Sequence, residues 1–383
     1  MKRSVRRRYM PESFERTIMT KPTPQPGILD IKPYVQGAMP EEGAQKTYKL
    51  SSNESALGAS PLAVEAYKAA GGEVFLYPDG GAHALRNKIG EIYNIDPARV
   101  VCGSGSDEIL QLLTKAYVGV GDNIVQSEHG FLVYALAAKS CGAEPRFAPE
   151  KNLTADVDAI LKEVDDRTRI VFLANPNNPT GTYLPDSEVR RLRENLREDI
   201  ILVIDAAYAE YMEEPDYAGG EQLVDDFDNV VMTRTFSKIY GLGGLRLGWG
   251  YCPTAIADVL NRVRGPFNVN SGALAAGVAA LDDQAFVEKN RKFNREERDW
   301  MAQQLGGMGL DFVPGFGNFI LVKFPEDPGR NADDILSFLK SNGVYVREMG
   351  PYKLGEWLRI SIGEEDGNRR CIELLKERFS HAD

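Results

Sequence analysis

Apolar residues gather along this chain in short unbroken runs separated by amphipathic stretches. Val100-Val101-Cys102, Ile124-Val125, Ile170-Val171-Phe172-Leu173, Ile200-Ile201-Leu202-Val203-Ile204 and Val230-Val231-Met232 show no polar alternation, which is the pattern of strands buried on both faces. Between them the period changes. Over 107–118, Ile109, Leu110, Leu112, Leu113 and Ala116 recur at helical spacing, and 186–197 reads as another such helix. Strand and helix in alternation from about residue 60 predict a mostly parallel sheet covered on both faces, with ligands at the carboxyl ends of its strands.

Gly265-Pro266 closes that region. A long helical stretch over 273–305 follows, and then Phe319-Ile320-Leu321-Val322, Val344-Tyr345-Val346 and Trp357-Leu358-Arg359-Ile360 read as strands of an α+β unit. The expected organisation is an N-terminal arm over 1–30, a joining segment over 31–59, a large domain over 60–268 and a small domain over 269–383. Within the arm, Lys21-Pro22-Thr23-Pro24-Gln25-Pro26-Gly27 alternates prolines, which remove amide donors and favour an extended path.

Charge narrows the range of partners. The 383 residues carry 45 Lys and Arg against 56 Asp and Glu, a formal net charge of −11. Lys2, Arg3, Arg6, Arg7 and Arg8 crowd the first eight residues, leaving 40 basic against 56 acidic side chains elsewhere. An acidic body argues against nucleic acid as the principal partner, because phosphate neutralisation needs a basic face. The tip reads as a solvated tail, and Met10 and Met19 are alternative starts that would remove it. No run approaches the roughly 18 apolar residues of a spanning helix, and the start lacks the apolar core of a secretory signal. A cytoplasmic protein without a membrane partner is expected. Cys102, Cys141, Cys252 and Cys371 lie far apart, and His83, His129 and His381 join none of them in a ligand pattern. Neither a metal site nor a disulfide framework is expected.

Four clusters carry chemistry. Thr233-Arg234-Thr235-Phe236-Ser237-Lys238 sets a lysine just past a buried strand, with Arg246 after a glycine-rich turn. Alone, Lys238 reads as a solvated loop residue. In a desolvated site at the sheet edge, its amine would lose its charge readily and attack a carbonyl to form a Schiff base. Thr235, Ser237 and Arg246 would make a phosphate set around it. Ala174-Asn175-Pro176-Asn177-Asn178-Pro179-Thr180-Gly181 is either a plain loop of Asx turns or a stiff mount for one amide that meets a ligand oxygen. Asp205, ending the most hydrophobic strand, is either a helix cap or the partner of a cationic ring nitrogen, with Tyr208 beside the same ring. Gly103-Ser104-Gly105-Ser106-Asp107-Glu108 opens an amphipathic helix after a strand, so amides and the positive helix end converge as an anion site or a simple helix start. Together the clusters offer a phosphate cradle, an amine, an acid and ring-orienting groups, a set that matches pyridoxal phosphate (PLP) chemistry.

On these residues the chain resembles the class II, fold-type I PLP-dependent aminotransferases, and among them the branch acting on histidinol phosphate. The similarity runs from about residue 28 to the C-terminus in the family's order. It implies an α/β fold, with a large mostly parallel-sheet domain and a smaller α+β C-terminal domain. It also implies a catalytic set of Lys238, Asp205 and Tyr208: Lys238 bonds the cofactor and shuttles a proton, Asp205 pairs with the ring nitrogen, and Asn178 and Tyr208 meet the ring 3-oxygen. Ser106, Asp107, Thr235, Ser237 and Arg246 would bind the phosphate and Phe131 would stack on the ring. Tyr77, in Leu76-Tyr77-Pro78-Asp79-Gly80, matches a tyrosine that reaches the phosphate from the other subunit of a homodimer.

For substrate, the resemblance implies Arg359 for the carboxylate of the amino donor, and Arg347 and Tyr34 for the substrate phosphate. The implied reaction is amino transfer between L-glutamate (giving 2-oxoglutarate) and imidazole acetol phosphate (giving L-histidinol phosphate), in histidine biosynthesis. Asp205-Ala206-Ala207-Tyr208 lacks a glutamate common after the aspartate, Asn53-Glu54-Ser55-Ala56 lacks the commoner Asn-Pro, and Glu128-His129-Gly130 replaces the usual Pro-Thr, leaving His129 without a role. The departures point to a divergent branch, so an aromatic amino acid aminotransferase or a dual enzyme is the alternative. A decarboxylase of a phosphorylated amino acid and a catalytically silent scaffold stand further off.

Overall fold

The computed structural model describes residues 24, 26–31 and 46–379; the basic tip, most of the proline-rich arm and Tyr34 lie outside the described residues. After a two-residue strand, β1 (Tyr48–Lys49), helices α1 (Pro61–Ala70) and α2 (His83–Tyr93) lead into β2 (Val100–Gly103). Then come α3 (Ser106–Tyr117), β3 (Asn123–Ser127), α4 (Leu132–Ser140), β4 (Glu144–Ala148), the short strands β5 (Glu150–Lys151) and β6 (Thr154–Ala155), and α5 (Val157–Glu163). The alternation continues through β7 (Thr168–Ala174), α6 (Asp186–Asn195), β8 (Ile201–Asp205), α7 (Glu221–Asp226), β9 (Val230–Thr235), β10 (Gly248–Tyr251) and α8 (Thr254–Val263).

These strands form one sheet in the order β2-β10-β9-β8-β7-β3-β4. It is parallel throughout except for β10, which runs antiparallel to both β2 and β9. Alternate residues feed two apolar layers. Val171, Leu173, Leu202, Ile204, Val230 and Met232 face one, while Ile170, Phe172, Ile201, Val203 and Val231 face the other together with Ile109, Leu110 and Leu113 of α3. Burial on both faces explains why these strands have no polar alternation.

The hydrophobic pattern misses two strands of this sheet. β10 is half glycine, and the glycines are needed for closeness. A Cβ on Gly248 would lie 2.2 Å from the Ser106 amide nitrogen, and one on Gly250 would lie 2.9 Å from the Ile109 side chain. β4 is an edge strand carrying Pro145, with Glu144 and Phe147 exposed, so its composition follows edge rules rather than core rules.

The stretch 273–305 is two helices, α9 (Ser271–Asp282) and α10 (Gln284–Gly307). They part at Asp283, whose carboxylate accepts the Phe286 amide at 3.1 Å and the Ser60 hydroxyl at 2.5 Å, a local cap that outcompetes helix continuation. The sequence pattern groups 269–283 with the smaller unit, but α9 packs on the larger core through Ala273, Ala276 and Ala280. Its Gly277 sits where a Cβ would meet Leu247 at 2.5 Å.

Beyond α10, β11 (Phe312–Val313), β12 (Phe319–Lys323), α11 (Ala332–Ser341), β13 (Val344–Tyr345), β14 (Arg347–Glu348), β15 (Trp357–Ser361) and α12 (Glu365–Phe379) complete the described chain. An antiparallel sheet β11-β12-β15-β14 packs with α12 around Ile320, Val322, Ile360 and Leu375. Leu50 enters the same core, and β1 pairs in parallel with β13, so residues 48–50 are built into this C-terminal unit.

Candidate active site

A cleft of about 140 Å3 opens where the carboxyl ends of β7, β8 and β9 and the start of α3 converge. Its wall contains every residue expected around the cofactor except Tyr77. Lys238 follows β9 by three residues and is half-buried in the wall of the cleft. Burial destabilises its ammonium, and the neighbouring guanidinium of Arg359 adds repulsion, so its pKa falls to about 8. The Lys238 Nζ lies 5.7 Å from the centre of the Tyr208 ring.

Asp205 ends β8, buried, and burial raises its pKa to about 6. Two hydroxyls hold the carboxylate. Tyr134 donates to Oδ2 at 2.7 Å, and Thr233, its register partner on β9, donates to Oδ1 at 3.2 Å. Tyr134 comes from the first turn of α4 and stacks on Phe172 with ring centres 4.6 Å apart. Sequence reasoning missed both hydroxyls. The available signal was the helical spacing of Tyr134 from Phe131, which lines the cleft and meets Tyr134 edge-on at 5.7 Å.

The asparagine-rich loop divides its labour. Asn175 holds Leu184, donating from Nδ2 to its carbonyl at 2.9 Å and accepting its amide at 2.7 Å. Asn177 donates to the Thr180 hydroxyl at 3.0 Å and to the His129 carbonyl at 3.2 Å. Asn178 is left to line the cleft, and its Oδ1 accepts from Arg359 Nη1 at 2.5 Å, which turns its amino group to other acceptors. Tyr208 accepts from Asn53 Nδ2 at 2.9 Å, and burial pushes its phenol up to about 12.

The start of α3 makes the anion end of the cleft. No side chain caps its first turn, and Gly105 before it has φ 83°. Arg246 closes the opposite side, reaching Asp107 Oδ2 at 3.2 Å and the Ser237 hydroxyl at 3.4 Å. A Cβ on Gly105 would come 2.4 Å from Arg246 Nη2. Thr235 accepts the Ser237 amide at 3.1 Å and so shapes this turn from within. Uncapped helix amides, a guanidinium and a hydroxyl suit a phosphate dianion. With an amine for an aldehyde and an acid for a ring nitrogen, the donor set fits pyridoxal phosphate.

The substrate residues are less closely grouped. Arg359, 6% exposed on β15, also donates to the Ser51 carbonyl at 2.9 Å and lies 5.4 Å over the Phe319 ring. Arg347 sits beside it in register on β14, but it lines a second pocket of about 650 Å3 with Lys139, Phe147 and Lys353. Tyr34 lies outside the described residues. Tyr77 is not in the cleft of its own chain: it is 82% exposed and stacks on Phe267 at 4.7 Å. His129 has a structural partner, its Nδ1 lying 2.8 Å from the buried Glu150 carboxylate.

The sequence model of the family described as "Aminotransferase class I and II" matches residues 45–375. A histidinol-phosphate aminotransferase of Paramagnetospirillum magneticum is 56% identical over 359 residues, covering 94% of this chain and 99% of that one. One of Rhodospirillum centenum is 54% identical over 345 residues, covering 90% and 95%. The crystal structure of histidinol-phosphate aminotransferase from Sinorhizobium meliloti in complex with pyridoxal-5'-phosphate superimposes with a TM-score of 0.80 at 27% identity, covering 88% of this chain and 92% of that one.

Proposed function

The chain belongs to the class I and II aminotransferases, and from that premise we propose that it transfers an amino group between L-glutamate and imidazole acetol phosphate, using pyridoxal phosphate. The observation that carries the substrate is the 56% identity to a histidinol-phosphate aminotransferase over nearly the full length of both chains. The meeting of Lys238, Asp205 and the start of α3 in one cleft supports the cofactor.

When bound, pyridoxal phosphate supplies an electron-withdrawing ring that acidifies the substrate Cα–H and carries the amino group between the two half-reactions. The chain's residues prepare that chemistry. Lys238 would hold the group and move a proton at the substrate Cα; its lowered pKa leaves a useful neutral fraction near neutrality. Asp205 holds a proton on the ring nitrogen, and the Tyr134 and Thr233 hydroxyls keep its carboxylate aimed. Asn178 and Tyr208 hydrogen-bond the ring oxygen. The α3 amides at Ser106 and Asp107, with Ser237 and Arg246, bind the phosphate, and Thr235 supports their turn. Phe131 covers the ring face.

Arg359 receives the donor carboxylate, where a planar guanidinium suits two parallel bonds. Arg347, with Tyr34, serves the substrate phosphate. Histidinol phosphate carries a phosphorylated methylene where glutamate has its α-carboxylate, so one site must accept both anions. The working form is a homodimer in the cytoplasm. Val74 and Phe75, 81% and 80% exposed, flank Leu76 and Tyr77 in an apolar patch of the kind that marks association, and it carries Tyr77 toward a partner's phosphate site.

The test is single-turnover absorbance of the PLP-loaded protein mixed with L-histidinol phosphate, and separately with L-phenylalanine. Fast loss of the visible band with histidinol phosphate and slow loss with phenylalanine is expected. The reverse order would move the function to aromatic transamination. Lys238→Ala should retain the fold and lose turnover by at least about 10²–10⁴-fold.

A further inference from the structure

Asn53 is a buried asparagine that sequence reasoning gave no place in the site. It is 1% exposed, and its backbone takes the left-handed conformation at φ 53°. Its amide, carbonyl and side chain are all engaged. The backbone N–H donates to Ser361 Oγ at 2.8 Å, and the backbone carbonyl accepts from Asn318 Nδ2 at 3.0 Å. The Ser361 hydroxyl donates to Asn53 Oδ1 at 2.8 Å, and Asn53 Nδ2 donates to the Tyr208 hydroxyl oxygen at 2.9 Å.

The direction of each bond follows from the one before. Ser361 has a single hydroxyl proton, and its oxygen already accepts the Asn53 N–H, so that proton is available for Oδ1. With Oδ1 so occupied, the amino end of the amide must face Tyr208. The phenol oxygen is then the acceptor in this bond, and its own proton is left to donate into the cleft. Were the amide reversed, Oδ1 would take the phenol proton and Tyr208 could offer the cleft only a lone pair.

We propose that Asn53 is a positioning residue that fixes the direction of the Tyr208 hydroxyl proton, and that Ser361 fixes Asn53 in turn. The inference rests on the proposed function, because the acceptor awaiting that proton is the ring oxygen of pyridoxal phosphate. A proton donated to that oxygen stabilises its anionic form, which lowers the pH at which the lysine-bound cofactor loses its proton.

The experiment titrates the visible band of the PLP-loaded full chain against pH in the wild type, Asn53→Asp, Tyr208→Phe and the double variant. The aspartate keeps the shape of the side chain but accepts the phenol proton, so the midpoint should rise by about one pH unit. The double variant should titrate like Tyr208→Phe alone, because both substitutions remove the same donated proton. Ser361→Ala should move the midpoint in the same direction by less, and it supplies the same reading if Asn53→Asp does not fold. An unmoved midpoint in well-folded variants overturns the inference, as does a shift by Asn53→Asp that persists at full size in the Tyr208→Phe background. If the wild type forms no visible band with PLP, the proposed function falls and takes this inference with it.

Discussion

Lys238 and Asp205 are both held away from their ordinary ionisation, and each deviation has a measurable outcome. With its pKa near 8, about a tenth of Lys238 is neutral at pH 7. The rate at which the cofactor-free protein captures PLP should therefore rise about tenfold per pH unit below 8 and level off above it. Stopped-flow absorbance reads this directly, and a rate still climbing steeply at pH 10 would mean an ordinary solvated lysine. Asp205 titrates near 6 in the fold against an ordinary 3.8, so the folded state binds its proton more tightly than the unfolded chain does. The cofactor-free protein therefore loses stability as pH rises from 3.8 through 6, by on the order of 3 kcal/mol. Asp205→Asn should melt above the wild type at pH 8, with the gap closing toward pH 4; a gap independent of pH would contradict this origin. Tyr134→Phe should push Asp205 higher still and weaken PLP binding, visible as an acid limb of the binding curve displaced to higher pH. The residues legible in the sequence are those whose type is itself unusual, such as a lysine or an acid at the end of an apolar run. Tyr134, Thr233 and Asn53 were not legible, because, unlike Asn178, Tyr208, Thr235 and Ser237, they are given no role by the family resemblance, and each joins the site only through what it packs against.

Among elements, the strands that could be read were those whose burial is symmetrical. β7, β8 and β9 each carry an uninterrupted apolar run, over 170–173, 201–204 and 230–232, because both faces are covered there, whereas β10 and β4 obey closeness and edge constraints that erase that signal. The helix break at Asp283 escaped the pattern because the apolar period continues across it. The glycines of the anion end make the strongest prediction at this scale. Gly105→Ala would force a side chain into φ 83° and ψ 163°, costing about 1–3 kcal/mol, and would set its Cβ against Arg246. PLP affinity should fall by about tenfold or more while circular dichroism stays native-like. Unchanged affinity would show that the α3 amides and Arg246 do not share one ligand. Strand β15 has a reach the sequence conceals: Arg359 holds Asn178, and two residues on Ser361 holds Asn53, so one short strand aims both amides at the cleft.

For the whole molecule, the exposed run Val74-Phe75-Leu76-Tyr77 has no counterpart in an isolated protomer's needs. Phe75→Arg should shift sedimentation from dimer toward monomer and lower PLP retention together, since Tyr77 of one protomer is proposed to serve the other. Tyr77→Phe should leave the dimer intact and lower retention alone. A variant that is monomeric with full PLP affinity would separate the patch from the site.

The tie between Asn53 and Ser361 spans 308 residues, and this matters while the chain is being made. The large sheet and its anion cradle are complete once α9 has emerged from the ribosome. Asn53 still lacks Ser361 at that stage, and Arg359 has not been translated. A nascent chain can thus gather the phosphate end of its site early, but the groups that aim protons and select substrate fall into place only when the final strand returns to meet a segment made at the outset. Closure of so long a loop is slow. Premature termination a few dozen residues short of the end should yield a species that holds phosphate yet never turns over.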